Sequence, residues 1–206
     1  GRLHEATGGN PLALLELPTD AASLPLGDRP VPLPTRIAAA FLRRFGELDA
    51  ATRRMLLIVA ASDVRDISVL ARAAREAGTT VDALAAAEEV GLVHIGAGRV
   101  EFRHPLVRSA VYAEAGAPER RAAHAALANA LPDRDVDRRA WHLAVATIGP
   151  DDRASSALTQ AARRAQQRNA YSVALAAFER AARLSTSPAA ASALLVDAAS
   201  CAVLDG

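Results

Sequence analysis

Apolar residues recur every three to four positions through most of this chain, and that spacing predicts amphipathic helices. Each predicted helix between residues 35 and 90 follows a residue whose side chain can accept a hydrogen bond from the first helical turn. The run Met55–Ala61 is apolar at every position and predicts a fully buried helix. The predicted capping residues are Thr35, Asp49, Asp66, and Thr79 or Thr80.

The hydrophobic period changes between residues 92 and 102, where apolar and polar residues alternate. Two alternating runs on either side of Gly96-Ala97-Gly98 predict a β-hairpin with a three-residue turn. A further helix is predicted over residues 105–114. Helices followed by a hairpin are typical of a winged helix. The residues predicted on the solvent face of the hairpin are His94, Arg99 and Glu101.

From residue 117 to the end the spacing is helical again, with proline-containing breaks. The predicted helices are 118–131, 135–147, 151–168, 170–185 and 188–204. Helix pairs of this length suggest an α-solenoid, and a period of about 34 residues starting at residue 155 fits a degenerate tetratricopeptide-like repeat. The matching positions are Leu158, Ala161, Ala162, Ala165, Ala174, Phe178 and Ala181.

Gly8-Gly9-Asn10-Pro11 stands directly before a leucine-rich run and allows two interpretations. It fits a helix start, with Asn10 as the cap and Pro11 at the first helical position. It also fits a glycine-rich turn that holds a phosphate at a helix N-terminus. The proline-rich residues 19–34 that follow predict an extended linker.

The composition supports a mostly helical fold and narrows the classes of function. All 24 basic residues are arginine, aromatic residues make up 3% of the chain, and alanine is abundant. A net charge of +1 gives no overall attraction to nucleic acid or to an anionic membrane. The single Cys201 excludes an internal disulfide, and no histidine or cysteine spacing indicates a metal site. No uninterrupted apolar run approaches the roughly 20 residues that span a bilayer, so we expect a cytoplasmic protein without membrane contact.

A family resemblance rests on three segments of the chain: ATGGNPLALLEL, LPTRIAAAFLRRFGELDAATRRMLLIVAA, and FRHPLVRSAVYAEA with ERRAAHAALANAL. These segments resemble the central part of large LuxR-type transcriptional regulators of the signal-transducing ATPase (STAND) superfamily, to which maltose-regulator-like proteins belong. The resemblance implies that the chain begins at the end of an ATPase module and stops early in a helical sensor. Residues 1–18 would end the helical lid, 19–34 form the linker, 35–116 a winged-helix domain, and 117–206 truncated tetratricopeptide-like repeats.

The resemblance also implies a nucleotide-facing site. Gly9 and Pro11 match the glycine-x-proline motif whose proline packs on the adenine. His104 matches the winged-helix histidine that senses the β-phosphate of ADP, where a charge-assisted hydrogen bond is strong. ATP or ADP is expected in the parent protein and no cofactor in this segment. Without a P-loop the segment is not expected to be an enzyme, and no catalytic or metal-binding residue is assigned. A plain helix start remains the alternative at both places.

The implied function is a regulatory middle segment that relays nucleotide and inducer state between an ATPase core and a helical sensor. Its partners would be its own ATPase core, a C-terminal DNA-binding domain, and a protein or small-molecule inducer on the repeats. One alternative is a helical-repeat scaffold for protein interaction, without a nucleotide role. A weaker one is a DNA-binding winged helix, which the segment VDALAAAEEVG disfavours because it carries Asp82, Glu88 and Glu89 and no arginine.

Three arginine pairs in the second half could suggest a phosphate-binding patch. Their spacing on predicted amphipathic helices favours solvated helix faces instead. The pairs are Arg120-Arg121, Arg138-Arg139 and Arg163-Arg164.

Overall fold

A computed structural model describes residues 43–205 of this chain. Within that range the protein is mostly helical, with one small two-stranded antiparallel sheet, as the sequence predicts. The predicted lid and linker, residues 1–34, lie outside the described residues. Of the helix predicted from Thr35, only the end is described, and its residues 43–46 are helical. The described residues divide into two compact units, with the boundary between Ala126 and Leu127.

The first unit is built around one buried helix. Its elements are α1 Ala50–Ala61, α2 Ile67–Glu76, a 3-10 turn Val81–Ala83, α3 Leu84–Glu89, β1 Val93–Gly96, β2 Arg99–Phe102, α4 Pro105–Glu114 and most of α5 Ala117–Ala130. Helix α1 contacts α2, α3 and α4. Every residue from Met55 to Ala61 is buried, so the predicted apolar run forms the centre of this core.

Two aspartates begin helices of the first unit where the sequence predicts caps. The Asp49 carboxylate accepts the backbone N–H of Thr52 at 2.7 Å, and the Asp66 carboxylate accepts that of Ser68 at 2.8 Å. The hydrogen bond from Thr52 lowers the pKa of Asp49, and the hydrogen bonds from Ser68 lower the pKa of Asp66. Both helices are therefore stabilised most when these carboxyl groups are ionised.

The predicted hairpin is confirmed, but its turn is shorter than the predicted three residues. Gly96 pairs with Arg99 at the end of the ladder, so only Ala97 and Gly98 form the turn. Both residues have positive φ, 50° and 72°. Positive φ at both positions gives a two-residue turn the twist that matches the two strands. The loop residue Arg65 also accepts the backbone N–H of Val100 at 3.0 Å. Strand β2 is therefore paired on both edges.

The second unit consists of successive helices joined by short loops. Its elements are the end of α5, α6 Val136–Ala146, α7 Asp152–Gln167, α8 Tyr171–Leu184 and α9 Pro188–Asp205, close to the predicted ranges. Neighbouring helices in the order α6, α7, α8 and α9 contact each other. The backbone N–H of Asp151 donates to the carbonyl of Leu184 at 2.6 Å. This bond joins the start of α7 to the end of α8, so the two helices run antiparallel.

Small side chains fill the core of the second unit, and Phe178 is its largest buried side chain. The hydroxyl of Ser155 on α7 donates to the carbonyl of Ala181 on α8 at 2.9 Å, inside that core. Alanines at the contact allow the two helix backbones to approach closely enough for this bond. The buried residues include all seven positions of the predicted repeat pattern: Leu158, Ala161, Ala162, Ala165, Ala174, Phe178 and Ala181.

Helix α9 differs from the other described helices in its hydropathy. Among residues 43–205 it is the one helix long and apolar enough to cross a membrane, judged by length and composition alone. Little of that stretch is buried. Its three buried residues, Leu194, Ala198 and Cys201, belong to the core of the second unit. Most of the apolar surface of α9 is therefore exposed.

Candidate functional site

His104 lies at the point where β2 ends and α4 begins. Its backbone is extended, with φ of −144° and ψ of 137°, and Pro105 occupies the first helical position. The Nδ1 atom of the half-buried His104 ring accepts the backbone N–H of Leu106 at 3.1 Å. His104 is therefore the N-cap of α4. This position agrees with the helix-start interpretation and leaves the nucleotide-binding role a prediction.

The cap also determines which ring nitrogen of His104 can donate. A nitrogen that accepts a hydrogen bond carries no proton, so a neutral ring with this cap is protonated on Nε2. The hydrogen bond accepted by Nδ1 thus determines the tautomer of the neutral ring. Any hydrogen bond from neutral His104 to an anionic oxygen would therefore come from Nε2.

Backbone and side-chain contacts hold the start of α4 in place. The backbone N–H of Arg103 donates to the carbonyl of Leu92 at 3.1 Å, just before β1. One turn after the cap, Arg108 Nε donates to the carbonyl of Ala60 at 2.9 Å, and Nη2 to that of Ser62 at 3.3 Å. A guanidinium at these carbonyls satisfies groups that α1 leaves unpaired at its C-terminus. Arg103 and Arg108, on either side of His104, thus bind the residue before β1 and the C-terminal end of α1.

The other two predicted site residues, Gly9 and Pro11, lie outside the described residues. Their predicted place on an adenine and beside His104 stays a prediction.

The 3-10 turn and α3 present acidic residues to solvent. Asp82 and Glu89 are exposed on the side opposite the buried Leu84 and Ala87. Glu88 differs from the expectation that it points outward, because its carboxylate accepts the backbone N–H of Ile95 at 2.8 Å. Glu88 therefore pairs with a backbone donor of β1, and the exposed acidic side chains of this segment are those of Asp82 and Glu89. A groove-reading helix would need donors and positive charge on this surface.

In each of the three predicted solvated pairs, at least one arginine makes structural contacts. Arg139 donates to the carbonyl of Leu131 at 2.6 Å. Arg164 Nε lies 2.7 Å from an Asp137 carboxylate oxygen, which joins α7 to α6. These two arginines therefore lie partly exposed on helix faces and also bind a backbone carbonyl and a carboxylate.

Sequence reasoning missed a side-chain network at the junction of α4 and α5. Arg120 Nη1 donates to the carbonyl of Ala115 at 2.7 Å, and its guanidinium carbon lies 5.5 Å from the centre of the Tyr112 ring. The Tyr112 hydroxyl lies 2.9 Å from Nε2 of the buried His124. The spacing of Arg120 and His124, one helical turn apart, was the available signal. These contacts order the connection between the two helices.

Comparison with known proteins gives no relative from which a role could be transferred. No family model, curated protein or solved structure matches this chain. Across residues 43–205, no group of three or more histidine, cysteine, aspartate or glutamate side chains is placed to hold a metal ion.

Proposed function

We propose that this chain is the regulatory middle segment of a STAND-type, LuxR-family transcriptional regulator and acts in the cytoplasm. In this proposal residues 35–116 form a winged-helix domain, and residues 117–206 form tetratricopeptide-like repeats. The segment relays nucleotide state from an ATPase core to a helical sensor that responds to an inducer. The observation that carries the proposal is His104, held as the N-cap of α4 with Nε2 as its donor nitrogen.

The order of elements in the first unit supports the winged-helix assignment. Helix α1 is followed by the loop segment at Arg65, then by α2, α3 and the hairpin. That segment pairs with β2, because the backbone N–H of Ile67 also donates to the carbonyl of Gly98 at 2.9 Å. The result is three helices packed beside a small sheet whose first edge comes from between α1 and α2. This topology is the one expected of a winged helix.

Burial in the second unit supports the repeat assignment. The small residues of the predicted pattern lie where α7 and α8 meet, and Phe178 fills the largest space between them. Helix pairs that bury a face only against their neighbours are typical of solenoid repeats.

In this proposal His104 stabilises the ADP-bound resting state. Its Nε2–H would donate to the β-phosphate, while Nδ1 keeps α4 capped. One such bond contributes about 1.5–3 kcal/mol, which shifts a two-state equilibrium roughly ten- to a hundredfold. Shifts of this size are sufficient to hold a regulator inactive without inducer.

A second candidate is a scaffold whose helical repeats bind a partner protein without any nucleotide role. The exposed apolar surface of α9 favours it, since large exposed apolar patches mark interaction sites. The two proposals differ in whether changing His104 affects regulation.

The test uses the whole regulator, in which the ATPase core precedes this segment and the DNA-binding domain follows it. Two variants separate the roles of His104. His104→Ser keeps a capping oxygen but removes the imidazole, whereas His104→Ala removes both. We expect both variants to raise transcription without inducer, measured with a reporter gene. Unchanged inducer dependence in both variants, or a natural protein with no P-loop upstream of this segment, would contradict the proposal.

A further inference from the structure

The first backbone donors of α4 depend on His104 for their partners. Pro105, at the first helical position, has no N–H group. The N–H of Val107 donates to the carbonyl of His104 at 3.0 Å, and the N–H of Leu106 donates to Nδ1 of the His104 ring at 3.1 Å. Leu106 and Val107 are both buried. The ring nitrogen therefore serves a donor in a partly buried place, where a missing partner is costly.

A histidine cap responds to acid differently from the aspartate caps of α1 and α2. A protonated aspartate still has an oxygen that can accept a hydrogen bond. The neutral His104 ring carries its proton on Nε2, so the next proton binds to Nδ1, the capping atom itself. The resulting imidazolium has two donors and no acceptor. The capping state and the charged state of His104 therefore exclude each other.

Charged groups around α4 come from the helix itself and from α1 and β2, which it contacts. Arg103 precedes the cap and is exposed, and Arg108 donates to two carbonyls at the C-terminal end of α1. The other charged residues of these elements and of the loop after α1 are Arg53, Arg54, Asp63, Arg65, Asp66, Arg99, Glu101 and Glu114. Nearby arginines disfavour an imidazolium and nearby carboxylates favour it, so these charges affect the pH at which the ring is protonated. They do not alter the effect on the cap, because the charged ring lacks an acceptor whatever its neighbours.

We propose that the start of α4 is a proton-sensitive switch, in which protonation of His104 releases the cap and frees the first turn of the helix. The ring is half-buried, so solvent protons reach it without unfolding of the unit. The release is local, because the buried side chains of Leu106 and Val107 continue to hold α4 in the core. The switch requires only this chain and no nucleotide, so it is independent of the proposed ADP contact.

Nuclear magnetic resonance of the 206-residue chain follows the ring and the cap in one pH titration. Between about pH 8 and 5, the range in which a histidine charge commonly changes, we expect the His104 ring signals and the Leu106 amide signal to move with the same midpoint. At the upper end of the range, the nitrogen shifts of the ring should identify Nδ1 as the atom without a hydrogen. At the lower end, the protection of the Leu106 amide against hydrogen exchange should fall about tenfold, after correction for the intrinsic effect of pH.

Two variants separate the switch from a general effect of acid. His104→Asn keeps a capping oxygen that does not titrate, so the Leu106 signal should stay constant over the same pH range. His94→Asn, at an exposed position in β1, is the matched control and should leave the Leu106 titration unchanged. A Leu106 signal that still titrates in His104→Asn, or that stays constant while His104 becomes protonated, would overturn the proposal. A His104 ring that remains neutral down to pH 5 would overturn it too.

Discussion

At the scale of single residues, the second unit depends on one aromatic anchor in an alanine-rich core. Phe178 is 1% exposed and lies among the small side chains of α7 and α8. Alanines cannot change rotamer to fill a space that a large neighbour leaves behind. The loss of this one ring should therefore leave a cavity that the neighbouring helices close only in part.

Phe178→Ala should lower the free energy of unfolding by roughly 3–5 kcal/mol, the range for a fully buried aromatic ring. Chemical denaturation of the whole chain, followed by circular dichroism, measures the change. Val173→Ala on the same helix is the matched control, since Val173 is 49% exposed and should change stability by only about 0.5 kcal/mol. A loss for Phe178→Ala below about 1 kcal/mol would show that the repeat assignment is wrong.

Residues with local signals were predictable, and residues with distant partners were not. Phe178 could be predicted from a helical repeat pattern, and Asp49 from its place before an apolar run. Arg108 could not, because its partners in α1 are backbone carbonyls, which carry no side-chain signal in the sequence. The position of Arg108 becomes significant only once α4 packs against α1.

At the scale of elements, aspartate carboxylates at the starts of α1, α2 and α7 make these helices sensitive to acid. Asp152, at the start of α7, also has a lowered pKa, because its carboxylate accepts the hydroxyl of Thr186 and its backbone N–H after α8. A carboxyl group whose pKa is lower in the folded state stabilises the fold above its ordinary pKa, about 3.8. That contribution disappears as the pH falls through the lower, folded value.

We therefore expect the unfolding midpoint to be nearly constant from neutral pH to about pH 4 and to fall below that pH. Asp49→Asn should reduce the acid sensitivity, since an asparagine oxygen can still cap α1 without titrating. Thermal unfolding at a series of pH values measures both slopes. Asp82→Asn, at an exposed position in the 3-10 turn, is the control for removing one negative charge. An acid slope for Asp49→Asn equal to that of the unmodified chain would mean that the cap does not titrate as described.

The acidic surface of the 3-10 turn and α3 makes a specific prediction about DNA. Because Asp82 and Glu89 are exposed and residues 81–89 contain no arginine, the chain should not bind duplex DNA specifically. Fluorescence anisotropy at physiological salt measures this, with a dissociation constant weaker than about 1 µM expected. Submicromolar affinity that is abolished by substitutions within residues 81–90 would identify a DNA-reading surface here.

The sequence predicted which elements form better than how they join. The hydrophobic period distinguished the hairpin from the helices, because a period of two and one near 3.6 are easily separated. The hydrophobic period did not predict the two-residue turn, because a glycine such as Gly96 can occupy either a turn or the end of a strand. It also missed the pairing of Arg65 with Val100, because long-range backbone pairing carries no side-chain pattern.

At the scale of the whole molecule, the described residues form two compact units. The first unit holds His104 at the junction of β2 and α4, and the second packs its helices through small residues. The predicted glycine-x-proline motif, Gly9 and Pro11, lies outside the described residues. The proposed relay thus depends on whether His104 acts only as a cap or also as a phosphate donor.

ADP affinity of the whole regulator with its ATPase core, measured by isothermal titration, tests that claim most directly. His104→Ser keeps the capping oxygen of α4 and removes the Nε2 donor, so folding stability should change little. The account predicts that ADP binds roughly ten- to a hundredfold more weakly to this variant than to the unmodified protein, matching the loss of one charge-assisted bond. Equal ADP affinity in the two proteins would contradict the account and leave His104 as the N-cap of α4 alone.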